Sequence, residues 1–290
     1  MRALLLIGLA LVASASALVE LGAGYHDEVG FPLAEKIRVA EEKMMAEEAH
    51  SRVVGGSLAP ANSHPYFAGL MIEIVGVTNG YSVCGASLLS ANRLVTAAHC
   101  WYDGRRQAWR VTAILGTKQF FSGGTRIAST DVVMHPQYTA NVINDIAMIR
   151  LPTNVAFSNS IQPISLPTGF ELFLTFAGSW AVVAGYGRTS DQQTGATTAV
   201  SHVNVQVVNE IDCAGIYSPE FVIHSTICTS GQGRVGPCIG DSGGPLVFNR
   251  SGTPVLIGVV SFVSGSGCQA GMPAAYARVT SFNNFILQNL

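Results

Sequence analysis

Three short segments carry residue types that together could perform nucleophilic catalysis. They are residues 96–100 (TAAHC), 144–147 (NDIA) and 240–245 (GDSGGP). Taken singly, each has an ordinary structural interpretation: a packed histidine, a capping aspartate and a glycine turn. Taken in chain order, His99, Asp145 and Ser242 supply a general base, an acid that orients it, and a nucleophile. The sequence therefore predicts nucleophilic catalysis at Ser242.

Each residue type suits a defined step of that chemistry. A serine hydroxyl is a weak nucleophile at neutral pH because it stays protonated. His99 can accept the proton as the new bond forms and then deliver it to the leaving group. Asp145 would fix the imidazole tautomer and stabilise the imidazolium. The glycines allow the backbone N–H groups of Gly240 and Ser242 to point at one oxygen and stabilise its negative charge.

The elements that must position these residues are mostly short strands. Apolar or alternating runs rich in Val, Ile and aromatic residues are separated by Gly, Pro, Asn and Ser, which predicts a β-barrel or sandwich. Representative predicted strands are residues 66–75, 93–97, 111–115, 145–151, 180–184, 203–208 and 255–263. Helices are predicted only at residues 34–49 and 281–290.

Composition narrows the class of protein. The chain has 290 residues, of which 48% are hydrophobic and 12% charged, so it is too apolar to be disordered. The formal charge of -2 gives no basic surface, so no nucleic acid partner is expected. Six cysteines in a chain with a secretion signal favour disulfides over metal or redox thiols, and the count leaves 15 connectivities open.

The N-terminus resembles a secretory signal. Arg2 precedes an apolar run over residues 3–12, and residues 15–17 (ASA) fit a small-x-small cleavage site, so cleavage is expected after Ala17. The alternative is a membrane anchor, but the run is well short of the ~20 residues needed to span a bilayer. We therefore expect secretion and no membrane partner.

Residues 18–52 differ from the remainder of the chain. They contain eight acidic and four basic side chains, whereas residues 53–290 are nearly balanced. The predicted helix has apolar residues at helical spacing, namely Leu33, Ile37, Ala40 and Met44. It is either a short solvated helix or part of a detachable pro-segment. The lone Arg52 before Val53 and a glycine pair favours the second, because it is an accessible tryptic site.

The motifs together resemble the chymotrypsin family of serine endopeptidases, and most of all the arthropod digestive chymotrypsins and brachyurin-type serine collagenases. The resemblance runs from Val53 to the C-terminus and includes the VVGG start, the three boxes, Ser261-Phe262 and residues 273–279 (PAAYARV). It implies an all-β fold of two packed six-stranded antiparallel barrels, with the cleft between them and a C-terminal helix resting on the second. It also implies cofactor-free hydrolysis of polypeptide substrates through an acyl-enzyme.

The same resemblance implies how the chain is processed. Residues 1–17 would be the signal peptide, 18–52 an activation pro-segment and 53–290 the protease domain. An activating trypsin-like protease would cut after Arg52. The new α-ammonium of Val53 would then pair with a buried Asp241; the alternative is a surface aspartate in a turn. The pro-segment contains no cysteine, so it should depart after cleavage rather than remain tethered.

The resemblance further implies three disulfides and a set of pocket residues. The disulfides are Cys84–Cys100, Cys213–Cys228 and Cys238–Cys268. Gly236 would form the base of the primary specificity pocket beside the uncharged Pro237, Val263 and Ala274 its walls, and Phe262 and Tyr276 would line the pocket and neighbouring subsites. The backbone of Ser261 would bind substrate and its hydroxyl would support Asp145.

These positions predict an apolar P1 residue, the side chain N-terminal to the cleaved bond. Val263 should narrow the pocket unless a loop shift carries its side chain out, so the size of P1 stays open. Residues 116–129, which match the calcium loop of trypsin-type relatives, contain no Asp or Glu, so no calcium site is expected there. No His or Cys spacing indicates another metal site.

The biological role also has alternatives. A digestive enzyme of the extracellular space or gut lumen, with protein protease inhibitors as partners, is favoured. The alternatives are a single-target processing or immune protease, and a non-catalytic homologue that acts as a binding module.

Overall fold

The computed structural model describes residues 24–47, 57–60, 62–192 and 199–290. The predicted signal peptide and the predicted cut between Arg52 and Val53 lie outside the described residues. Strands dominate the described part of the chain. In chain order they are β1 (Ser57–Leu58), β2 (Phe67–Ile74), β3 (Ser82–Ser90), β4 (Arg93–Thr96), β5 (Ala108–Leu115), β6 (Thr125–Ser129), β7 (Asp131–Met134), β8 (Ala147–Arg150), β9 (Trp180–Gly185), β10 (Ser201–Val208), β11 (Thr226–Thr229), β12 (Pro245–Arg250), β13 (Thr253–Phe262) and β14 (Ala274–Arg278).

The strands form two antiparallel sheets, each curled into a barrel. The first has the order β6-β5-β2-β3-β4-β8-β7, and Thr130 alone separates β6 from β7, so these two act as one bent strand. In the second, β9 pairs with both β10 and β12, which closes the ring β9-β10-β11-β14-β13-β12. Strand β1 adds to the outside of β10. The prediction of two six-stranded antiparallel barrels is confirmed, with β1 as an added edge strand.

Strand β13 shows how the sequence joins the two barrels. Its side chains from Val255 to Phe262 are all buried, without the usual alternation of buried and exposed positions. Val255 and Ile257 pack inside the second barrel, whereas Leu256 points into the apolar cluster of the first. A strand that is buried on both faces has a continuous apolar sequence. The active-site loops lie where the two barrels meet.

Three α-helices accompany the barrels within the described ranges. A π-helical turn, His26–Gly30, runs directly into α1 (Phe31–Glu47); together with Gly24 and Tyr25 these residues are called the N-terminal segment below. Helix α2 (Glu210–Tyr217) was not predicted, since it has barely two turns and only Cys213 and Tyr217 on its buried face. A 3₁₀ turn leads into α3 (Asn283–Gln288) near the C-terminus.

The expectation that the terminal helix rests on the second barrel is wrong. Asn289, just after α3, accepts hydrogen bonds from Arg93 (3.0 Å) and Arg150 (2.7 Å), which belong to β4 and β8 of the first barrel. Phe282 packs edge-on against His135 near the same strands. Strand β14 ends beside the first barrel, so the apolar face of α3 covers the core that is nearest to it.

Candidate active site

Neighbouring strands bring His99 and Asp145 together. Strands β4 and β8 pair antiparallel with Thr96 opposite Ala147. His99 lies in a 3₁₀ turn, Ala98–Cys100, just beyond the end of β4, and Asp145 lies just before the start of β8. A disulfide between Cys84 and Cys100 ties that turn to β3. Two residues far apart in sequence therefore sit at the same rim of the first barrel.

The Asp145 carboxylate holds the His99 ring in one orientation. Oδ1 accepts the backbone N–H of His99 at 2.9 Å, and Oδ2 lies 2.7 Å from Nδ1 of the ring. The hydroxyl of Ser261 also donates to Oδ2, at 2.5 Å. Both the His99 and Asp145 side chains are only 1% exposed. This arrangement places the proton on Nδ1 and leaves Nε2 free to act as a base.

Ser242 lies in a loop that glycines allow to bend sharply. Gly240 has φ +101° and Gly243 has φ +77°, both in the left-handed region that favours glycine. Gly85 of β3 donates its N–H to the Ser242 carbonyl at 2.7 Å, and a Cβ at Gly85 would lie 2.9 Å from Gly244. The missing side chain at Gly85 therefore lets the first barrel approach the Ser242 loop.

His99 and Ser242 line one cleft, together with Ser261, Phe262 and Val263. Nε2 of His99 is buried and has no hydrogen-bond partner among the described residues, so the bond to the Ser242 hydroxyl is not formed in this structure. A catalytic hydrogen bond of this kind commonly tightens only when substrate binds. The cleft and the His99–Asp145 pair are therefore formed, whereas the hydrogen bond between His99 and Ser242 is not.

Asp241 is buried, so the alternative of a surface aspartate is wrong. Its carboxylate accepts the N–H groups of Gly187 and Cys238, each at 2.8 Å. Burial raises the pKa of Asp241 to about 6, although these two donors oppose the shift. Within the described ranges no cation pairs with it, and a cavity lined by Arg188 and Gly236 lies beside it.

The predicted pocket residues divide between two cavities. Val263 lines the Ser242 cleft and packs against the apolar cluster that contains Ala274. Gly236 lines the neighbouring cavity beside Asp241 instead of the Ser242 cleft, and a Cβ there would meet nothing within 4 Å. Pro237 is buried. Tyr276 is fully buried, and its hydroxyl shares a hydrogen bond with Thr229 at 2.8 Å.

The other predicted disulfides frame the second barrel. Cys213 bonds to Cys228, and Cys238 bonds to Cys268, which ties the Ser242 loop to the loop that follows Val263. Of the described groupings with metal-ligand geometry, one contains Cys84 and Cys100 and the other contains Cys238 and Cys268. These sulfurs are in disulfides, so neither grouping provides thiolate ligands.

Sequence reasoning missed residues that pack on Phe262 behind the cleft. Val142, at φ +57°, is buried in one cluster with Phe262. The Tyr217 ring lies 5.4 Å from that of Phe262, and its hydroxyl donates to the carbonyl of Pro273. No local motif marks either residue. The hint in the sequence is the spacing of Tyr217, one helical turn after Cys213, which places both on one face of α2.

The N-terminal segment was also missed as part of this site. Tyr25, Glu28 and Val29 line the same cleft as Ser242. The Tyr25 ring centroid is 4.8 Å from that of His99, and Leu33 packs directly on Gly240, where a Cβ would lie 2.1 Å from Cδ2 of Leu33. The uncut chain therefore covers its own cleft.

No helix among the described residues is long and apolar enough to cross a membrane.

Comparisons with known proteins agree with this geometry. The family profile described as Trypsin matches residues 53–286. Collagenase from Hypoderma lineatum is 36% identical over 244 residues, which cover 84% of this chain and 89% of that protein. Brachyurin from Leptuca pugilator is 37% identical over 240 residues, covering 81% and 96%. A solved structure of HL collagenase has a TM-score of 0.74 at 36% identity, covering 82% of this chain and 98% of that one. The chain therefore belongs to the trypsin family of serine endopeptidases, hydrolases that act on polypeptides.

Proposed function

We propose that this chain is the secreted zymogen of a serine endopeptidase that cleaves after apolar residues. One observation carries the proposal: His99, Asp145 and Ser261 form a buried hydrogen-bonded chain beside Ser242 in a single cleft. Such a chain is the arrangement needed to activate a serine hydroxyl. Membership of the trypsin family supports the reaction class.

In the proposed mechanism, Ser242 attacks the substrate carbonyl while Nε2 of His99 accepts its proton. Asp145 keeps the ring oriented and stabilises the imidazolium. The N–H groups of Gly240 and Ser242 would bind the oxyanion; across the described chain, neither donates a hydrogen bond to another protein group. His99 then gives the proton to the leaving amine. In the second half of the reaction His99 accepts a proton from water, which attacks the acyl-enzyme, and returns it to Ser242.

Activation would follow cleavage after Arg52 by a trypsin-like protease. The proposed boundaries are a signal peptide at 1–17, a pro-segment at 18–52 and the protease at 53–290. Asp241 supports this step, because among the described residues two N–H groups and no cation contact its buried carboxylate, which is therefore poised for a cation. The α-ammonium of Val53 would supply that charge from the adjacent cavity and order the Ser242 loop.

Specificity is proposed to be apolar at P1. Val263 lines the Ser242 cleft and packs on the apolar cluster that contains Ala274, and neither residue carries a charge. Gly236 and Pro237 would bring no charge either, once activation has ordered the Ser242 loop and they form the base of the pocket. The position of Val263 favours a narrowed pocket and small aliphatic residues over large aromatic ones. Phe262 and Tyr276 would support the wall from behind, since both are buried.

We place the enzyme outside the cell as a digestive protease. The N-terminal signal pattern and three disulfides suit an oxidising compartment. Relatives named collagenase and brachyurin support extracellular protein as the substrate. Protein protease inhibitors would be further partners of the active cleft.

The proposal is tested by cutting the chain at Arg52 with a trace of trypsin, which is then quenched by a trypsin-selective inhibitor, and by removing the released residues 18–52 by ultrafiltration. Initial rates are compared on two peptides that differ only in P1, Phe or Ala, with Ser242→Ala as the blank. We expect activity only after the cut, with Ala preferred. Rates no higher than those of the blank would refute the proposed function, and a preference for Phe would refute the narrowed pocket.

A further inference from the structure

The N-terminal segment binds the protease through contacts that do not depend on the peptide bond after Arg52. We propose that this segment is an inhibitor in its own right, which continues to block the cleft non-covalently after the chain is cut. The inference rests on the proposed function, because inhibition presupposes a protease. It revises the expectation that the pro-segment departs on cleavage, which considered only a covalent tether.

Tyr25 is the residue that blocks the cleft. Its ring lies edge-on to His99, and its hydroxyl donates to the carbonyl of Val83 at 2.7 Å. The side chain is 8% exposed, so it is packed between protease groups. Any polypeptide that reaches both His99 and Ser242 must displace it. The segment should therefore compete directly with substrate.

An apolar stripe holds the segment behind this block. Leu33 and Ile37 are 2% and 0% exposed and join one cluster with Val83, Phe120 and Tyr186 of the protease. On the opposite face of α1, Val39 is 49% exposed. Since burial of apolar surface is the main favourable term in association, this one-sided burial identifies the docking face.

Polar contacts fix the register of the segment at both ends. His26 donates its N–H to Asp103 at 2.9 Å, and its ring Nδ1 lies 2.8 Å from the hydroxyl of Ser82. Near the other end, the Glu41 carboxylate accepts the backbone N–H groups of Phe120 and Phe121. Carboxylates that accept backbone N–H groups form strong, directional hydrogen bonds.

Ion pairs also join the N-terminal segment to the protease. Arg105 and Arg106 of the protease pair with Glu28 (3.3 Å) and Asp27 (3.0 Å) of the segment. Both pairs are largely exposed and therefore add little affinity. They do give the acidic segment a preferred orientation on a basic loop.

Gly30 allows the backbone of the segment to approach β3 closely. A Cβ at this position would lie 1.7 Å from Oγ and 2.8 Å from Cβ of Ser82, which is fully buried. Replacing Gly30 by Ala should therefore weaken docking. Because Ala favours helix more than Gly does, an effect through helix formation alone would strengthen docking instead, so this variant separates the two causes.

The experiment uses a synthetic peptide of residues 18–52 and the chain cut at Arg52, with its own segment removed by ultrafiltration and its absence checked by mass spectrometry. Inhibition is measured on the active enzyme against a peptide substrate, and binding is measured by anisotropy on the cut Ser242→Ala chain. We expect competitive inhibition, at least tenfold weaker with the Tyr25→Ala and Gly30→Ala peptides. The matched control Val39→Ala should stay within twofold of the parent peptide.

The outcomes separate the two proposals. An active cut enzyme that about 1 mM peptide neither binds nor inhibits would overturn the inference, as would non-competitive inhibition or equal potency of the Tyr25→Ala peptide. A cut chain without activity whose Ser242→Ala form still binds the peptide would refute the proposed function and support the docking.

Discussion

Lowering the pH from 7.5 to 5.5 is expected to weaken binding of the released pro-segment to the cut protease about tenfold, through His26. This side chain is 0% exposed in the docked segment. Its Nδ1 contacts Ser82, while Nε2 is buried with no partner among the described residues. An imidazolium donates from both ring nitrogens, so protonation would leave one buried donor without an acceptor.

The size of this loss of affinity follows from the change in the pKa of His26 on docking. Burial lowers the pKa of His26 to about 4; Asp103 and Asp27 raise it, and His99 and Arg106 lower it further. In the free peptide the value should be near 6.5. Because docking lowers the pKa, the full affinity is present above about pH 6.5 and is lost as the pH falls toward 4. The loss reaches about tenfold at pH 5.5 and about 300-fold below pH 4.

The assay is anisotropy of a labelled 18–52 peptide with the cut Ser242→Ala chain, from pH 7.5 to 5. The matched peptide carries His26→Gln, whose amide can keep the contact with Ser82 but does not titrate. Glu41, whose pKa burial raises, opposes the loss at low pH, and it is common to both peptides. Parallel pH curves for the two peptides would refute the reasoning.

Three further predictions concern the protease itself. Ser261→Ala removes the hydroxyl that donates to Asp145 and should lower kcat about tenfold with KM unchanged, measured on the preferred substrate; an unchanged kcat would contradict this role. Val263→Gly should raise the Phe-to-Ala ratio of kcat/KM at least tenfold by widening the pocket, and an unaltered ratio would show that this wall does not select P1. Burial and His202 lower the pKa of His64 to about 4, so stability is lost as the pH falls from 6.5; urea unfolding at pH 7 and pH 5 should give a loss about 2 kcal/mol larger for the parent chain than for His64→Gln.

The catalytic part of the site could be predicted from sequence because its residues lie in short, specific motifs. His99, Asp145 and Ser242 each follow or precede a strand or a glycine turn, and the resemblance implied their order and the disulfide pairing. The structure adds distances, such as the 2.7 Å contact between His99 and Asp145.

Contacts between distant segments could not be predicted in the same way. Helix α1 is predicted over residues 34–49 and observed over Phe31–Glu47, but the alternative of a solvated helix is wrong. Glu41 is only 1% exposed because its partners are backbone N–H groups of residues 79 and 80 positions away. Tyr25 likewise meets His99 only in the folded chain. A buried acid on a helix resembles a surface charge until the positions of its N–H donors are known.

Covalent labelling of Ser242 tests the central claim most directly. A fluorophosphonate probe is applied to the uncut chain, to the chain cut at Arg52 with its segment removed, and to the cut Ser242→Ala chain, and the labelled residue is identified by mass spectrometry. We predict rapid labelling of Ser242 only in the cut wild-type chain. Equal labelling of the uncut chain, or none at Ser242 after a complete cut, would contradict the account of a cleavage-activated serine protease.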